Sequence, residues 1–105
     1  LYLSLTFGNE ILVYDVSPDG STTNSRKFAY VKNPDGIEVD LGGNVYVAGM
    51  EGVYVFSPEG TKLGIIYTKD QPTNCEFGGP SGNILFITAR NSIYRVDMPI
   101  PRFIE

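Results

Sequence analysis

Asp35, in the run Pro34-Asp35-Gly36-Ile37-Glu38-Val39-Asp40, is the carboxylate of this chain best placed to do chemistry. It immediately precedes a strand-like segment. A carboxylate there is a hard oxygen donor for a divalent cation, or an acceptor for the proton of an attacking water. Asn74, in Pro72-Thr73-Asn74-Cys75-Glu76-Phe77-Gly78-Gly79, reads as its counterpart further along. Two oxygen-bearing side chains in corresponding places suit a cation that takes several oxygen ligands. Asn74 is accordingly expected to line the same pocket. A plainer reading stands beside each. Pro-Asp-Gly is ordinary turn chemistry, as at Asp19, which is given no role. An Asn at a strand start often bonds its own backbone.

The rest of the composition narrows the chemistry. There is no His, which removes the commonest general base and the usual nucleophilic triads. The single Cys, Cys75, allows neither an internal disulfide nor a structural zinc cluster. With no His to activate it, Cys75 is expected to be a small buried residue. The net charge is −4 and Lys and Arg form no cluster, so nucleic acid is not an expected partner. No apolar run approaches membrane-spanning length.

Short strands must position these residues. Leu1-Tyr2-Leu3-Ser4, Val45-Tyr46-Val47-Ala48 and Leu85-Phe86-Ile87-Thr88 share one pattern. Each is followed by a second such run: Ile11–Tyr14, Val53–Phe56 and Ile93–Val96. A recurrence of about 40 residues built from short strands is the mark of β-propeller blades. Alternation and turn signals predict strands at 1–5, 10–16 and 25–30, then at 36–40, 44–48, 52–57 and 62–67, then at 73–77, 84–89 and 92–97. The segments are a partial blade (1–33), a complete blade (34–71), a partial blade (72–98) and a tail (99–105), about two and a half four-stranded antiparallel blades in an all-β chain. Pro99 and Pro101 argue against a central strand in the tail. Ser17-Pro18-Asp19-Gly20 and Ser57-Pro58-Glu59-Gly60 are matching turns. Tyr46, Tyr54, Phe56, Phe86 and Tyr94 are expected in the core between blades. Glu38 and Glu76 are expected at inter-blade polar contacts or in solvent, and Arg90 in a solvated loop.

The runs "NPDGIEVDLGGNVYVAGMEGVYVFSPEG" and "PTNCEFGGPSGNILFITARNSIYRVDM", with "LYLSLTFGNEILVYDVSPDGSTTNSRKFA" ahead of them, resemble the C-terminal part of the gluconolactonase/regucalcin (senescence marker protein) family, over residues 1 to about 98. The resemblance implies a six-bladed propeller with a divalent cation, usually calcium, in its central channel, and hydrolysis of sugar lactones. It implies that Asp35, at the Asp of the family's P-D-G, ligates the cation and handles the proton of the attacking water. The family's other ligands, a Glu in the first blade and an Asn at an N-G strand start, have no match in this sequence. A fragment of a calcium-dependent lactone hydrolase is therefore expected, inactive alone, with a small lactone as substrate. A non-enzymatic propeller module and a strictosidine-synthase-like propeller are the alternatives. The open blade edges are expected to allow self-association. Localisation is unread, cytoplasmic by default.

Overall fold

In the computed structural model, residues 1–99 are described. Ten strands occur among them and no helix: β1 (Tyr2–Leu5), β2 (Glu10–Val16), β3 (Thr22–Tyr30), β4 (Ile37–Val39), β5 (Val45–Ala48), β6 (Gly52–Phe56), β7 (Lys62–Tyr67), β8 (Asn74–Gly78), β9 (Ile84–Ala89) and β10 (Ser92–Asp97). They form three separate antiparallel sheets, β1-β2-β3, β4-β5-β6-β7 and β8-β9-β10. These are propeller blades, and the all-β expectation holds. Most of the expected tail, 100–105, lies outside the described residues.

Strand ends shift by a residue at β1, β5 and β6, by a residue at both ends of β4, and by more at β3. β3 begins at Thr22 rather than 25, because Val16 and Asp15 of β2 pair with Thr22 and Thr23 beyond an irregularity in the ladder. β4 is only three residues long, since Gly36 and Asp40 give their amides to Thr73 and Asn44 carbonyls outside the ladder. β8 runs from Asn74 to Gly78, one residue later than expected.

The turns explain the sheets. The Ser17 and Ser57 amides donate to the Ser21 and Thr61 carbonyls at 2.9 and 2.8 Å, and the Gly20 and Gly60 amides close back on Ser17 and Ser57 at 2.8 and 2.9 Å. Gly20 and Gly60 take φ of 90° and 91°, a region cheap only for glycine. The β9–β10 hairpin needs positive φ at its tip, and exposed Arg90 supplies it at 48°.

Packing is between the faces of adjacent sheets. Successive side chains of a strand point to opposite faces. In β5 all four residues are buried: Val45 and Val47 pack with Ile11 and Ala29 of the first sheet and with Val31 just after β3, while Tyr46 packs with Cys75, Phe77, Leu85 and Ile87 of the third. The middle sheet is thus covered on both faces, which is why its inner strands are apolar at consecutive positions. The outer sheets are covered on one face only, and β9 alternates: Leu85, Ile87 and Ala89 buried, Phe86 and Thr88 exposed.

Candidate functional site

The turn Pro34-Asp35-Gly36 ahead of β4 is hydrogen-bonded toward all three sheets. Within its own sheet, the Asp35 amide donates to the Ala48 carbonyl at 2.8 Å, and the Ala48 amide to the Gly36 carbonyl at 2.9 Å. Toward the third sheet, the Gly36 amide donates to the Thr73 carbonyl at 2.9 Å. Toward the first, Ser4 Oγ donates to the Asp35 carbonyl at 2.7 Å and Thr6 Oγ1 to the Pro34 carbonyl at 2.9 Å. Pro34 itself is fully buried. The backbone of Asp35 is therefore held from every side while the residue stays exposed. Its carboxylate enters no ion pair and no side-chain hydrogen bond among the described residues. An exposed carboxylate on a fixed backbone is a fitting oxygen ligand for a hard cation. No group of three or more His, Cys, Asp and Glu side chains gathers among the described residues, so this chain offers that cation Asp35 without a preformed cluster.

Asn74 sits beside this turn but does not correspond to Asp35. The same backbone bond that Asp35 makes to Ala48 is made by Thr73 to Thr88, also at 2.8 Å. The registers Ile37↔Val47 and Cys75↔Ile87 then align Gly36 with Asn74. The sequence alignment of the two turns was one residue out, because one carries a Gly where the other carries the Asn. Asn74 Oδ1 accepts from the Cys75 amide at 2.9 Å, the plainer of its two readings. Its side chain also rests on Gly36: a Cβ there would lie 1.9 Å from Asn74 Oδ1 and 2.8 Å from Asn74 Cα. With Cys75, Glu76, Phe86 and Thr88, Asn74 lines a shallow cavity of about 130 Å³ on the outer face of the third sheet.

The neighbouring groups are structural. Glu38 is 8% exposed, and its Oε1 and Oε2 accept from the Val39 amide at 2.9 Å and the Phe77 amide at 3.3 Å, tying β4 to β8. Glu76 is exposed beside the cavity. Cys75 is buried, its thiol 3.9 Å from the Tyr46 carbonyl. Burial, then the Glu38 and Glu76 carboxylates, push that thiol up to about 12. It is a packing residue, as its apolar surroundings dictate.

Asp40 escaped the sequence reading. It is 5% exposed and accepts from the Gly42 amide (2.9 Å), the Asn44 amide (2.9 Å), Asn44 Nδ2 (3.0 Å) and Tyr46 Oη (2.9 Å). Burial alone would raise its carboxyl, but the hydrogen bonds from Asn44, Tyr46 and Gly42 outweigh that and hold it below the usual range. Its spacing ahead of Gly42-Gly43-Asn44 was the available signal: an Asp at the start of a tight turn bonds the turn's amides. Tyr46, Tyr54 and Phe56 are core, but Phe86 is 37% exposed. It lies on the face of β9 that no sheet among the described residues covers, which overturns its expected burial. Tyr94 is half-buried against the second cluster.

A family profile described as "SMP-30/Gluconolactonase/LRE-like region" matches residues 1–91. A gluconolactonase of Zymomonas mobilis is 42% identical over 65 residues, 60% of this chain and 18% of that protein. The solved gluconolactonase of Xanthomonas campestris is 35% identical with a TM-score of 0.80, covering 93% of this chain and 33% of its own. A structure described as a gluconolactonase by family assignment is 27% identical with a TM-score of 0.91, covering 99% of this chain and 37% of its own. A luciferin-regenerating enzyme, at 22% identity and a TM-score of 0.83, shares the fold. The chain thus spans between about a fifth and two fifths of the proteins it matches.

Proposed function

This chain belongs to the SMP-30/gluconolactonase/LRE-like family, and we propose that it is part of a calcium-dependent sugar-lactone hydrolase in which Asp35 supplies one cation ligand. The carrying observation is the Asp35 turn itself: an exposed carboxylate on a backbone pinned by all three sheets. The similarity to gluconolactonases of Zymomonas mobilis and Xanthomonas campestris supports the substrate class, a cyclic ester of a sugar.

A bound cation would supply Lewis acidity for the lactone carbonyl and for water, so the absence of His does not bar the reaction. Asp35 would help hold it, and its carboxylate would take up the proton of the attacking water. Asn74, held against Gly36, would border the substrate rather than the cation. The 105-residue polypeptide alone would turn over no lactone, and its uncovered sheet faces would drive self-association.

The decisive test grafts residues 1–99 into the Xanthomonas campestris gluconolactonase in place of the matching segment. The chimera should hydrolyse glucono-1,5-lactone with added Ca²⁺ in a pH-stat assay, and Asp35→Asn should lower the rate about 100-fold or more. A folded chimera equally active with Asn at that position would overturn the proposal.

A further inference from the structure

The Asp35 peptide is held by a side chain from another sheet, and that contact has a direction. Ser4 lies in β1, in the first sheet, and Asp35 lies two residues ahead of β4, in the turn that leads into the second. Ser4 Oγ donates to the Asp35 carbonyl at 2.7 Å, and Thr6 Oγ1 to the preceding carbonyl, Pro34, at 2.9 Å. The Asp35 amide is already used by Ala48 and the next amide by Thr73. Without Ser4, the Asp35 carbonyl would have no partner in its own sheet, since β4 begins at Ile37. The Asp35–Gly36 peptide would then be held on its amide side alone, by the Thr73 carbonyl, and the direction of its carbonyl would be less tightly set.

We propose that Ser4 is a positioning residue, with Thr6 as its support: the two hydroxyls clamp the Pro34 and Asp35 carbonyls across the gap between sheets, and so aim the Asp35 carboxylate. The inference rests on Asp35 being the functional carboxylate, but its structural half stands by itself. The clamp couples sheet-to-sheet docking to ligand geometry, so a carboxylate set at the end of one sheet is oriented only once the neighbouring sheet is seated.

The test uses the 105-residue chain labelled with ¹⁵N and ¹³C, with Mn²⁺ as the probe ion. Ser4→Ala should lower the backbone order parameters of Asp35 and Gly36 and shift the Asp35 carbonyl ¹³C resonance, with the melting temperature unchanged. Ser4→Thr, which keeps the hydroxyl, should restore both. Mn²⁺ should broaden the Asp35 amide in the wild type, and Ser4→Ala should weaken that binding about 3- to 10-fold, the worth of one hydrogen bond. Thr6→Val serves as the second variant if Ser4→Ala lowers the melting temperature, and should loosen Pro34–Asp35 in the same way. Unchanged order at Asp35 in both variants would refute the clamp. Changed order without Mn²⁺ broadening at Asp35 would uphold the clamp, while a chimera whose lactonase activity is indifferent to Ca²⁺ would refute the cation reading instead.

Discussion

Replacing Asp40 by Ala removes the acceptor for four hydrogen bonds inside the turn between β4 and β5. It leaves the Tyr46 hydroxyl, itself largely buried, without its partner. The cost should be about 1–3 kcal/mol in urea unfolding at neutral pH. The sign with pH follows from the depressed carboxyl. Asp40 stabilises the fold fully above its unfolded value of about 3.9, and that contribution fades as pH falls through the lower folded value. Urea midpoints of wild type and Asp40→Ala should therefore converge toward pH 2, and parallel curves would contradict the assignment. Cys75 gives a second check at this scale. With its thiol pushed up to about 12, it should resist iodoacetamide at pH 8 in the native chain and alkylate readily in urea.

Strand-level contacts put a steric limit on the approach of β4 to β8. Gly36→Ala would drive a Cβ into Asn74, within 2.8 Å of its Cα, so rotation of the Asn74 side chain cannot relieve it. The expected loss is about 1–3 kcal/mol. Gly64→Ala in β7 meets nothing within 4 Å and should be neutral or stabilising by about 0.5–1 kcal/mol. Thermal melts of the two variants side by side check the pair, and equal melting temperatures would contradict it. The strands themselves were legible in the sequence because alternation is a local property. What was not legible was the shift of one residue between the Asp35 and Asn74 turns. Matching residue types favoured the wrong pairing, and only the ladder hydrogen bonds to Ala48 and Thr88 decide it.

Across the whole molecule, the uncovered faces are matched to one another. Val45 and Val47 of β5 face the first sheet, and their counterparts at and just before β1, Leu3 and Leu1, are 42% and 60% exposed. Tyr46 faces the third sheet, and its counterpart Phe86 is exposed, with Ile93 on the adjoining strand 74% exposed. One end of the stack thus presents the kind of face that the other end receives. The 105-residue polypeptide should run above its monomer mass of 11.5 kDa in light scattering, and Leu3→Asp should shift it toward monomer. A wild-type chain that is monomeric at 100 μM or so would count against the matched faces.

From its sequence alone this chain determined its strands, its turns and the family they belong to. Those rest on side-chain alternation, on glycines at positive φ and on a run of local motifs, all written within a few residues. The tertiary structure alone decided which groups meet. It placed Ser4 and Thr6 on the Asp35 turn, set Asn74 against Gly36, enclosed Asp40 with Tyr46, and left Phe86 uncovered. Each of these depends on how sheets or turns pack, and packing between segments distant along the chain leaves no periodic trace in the sequence.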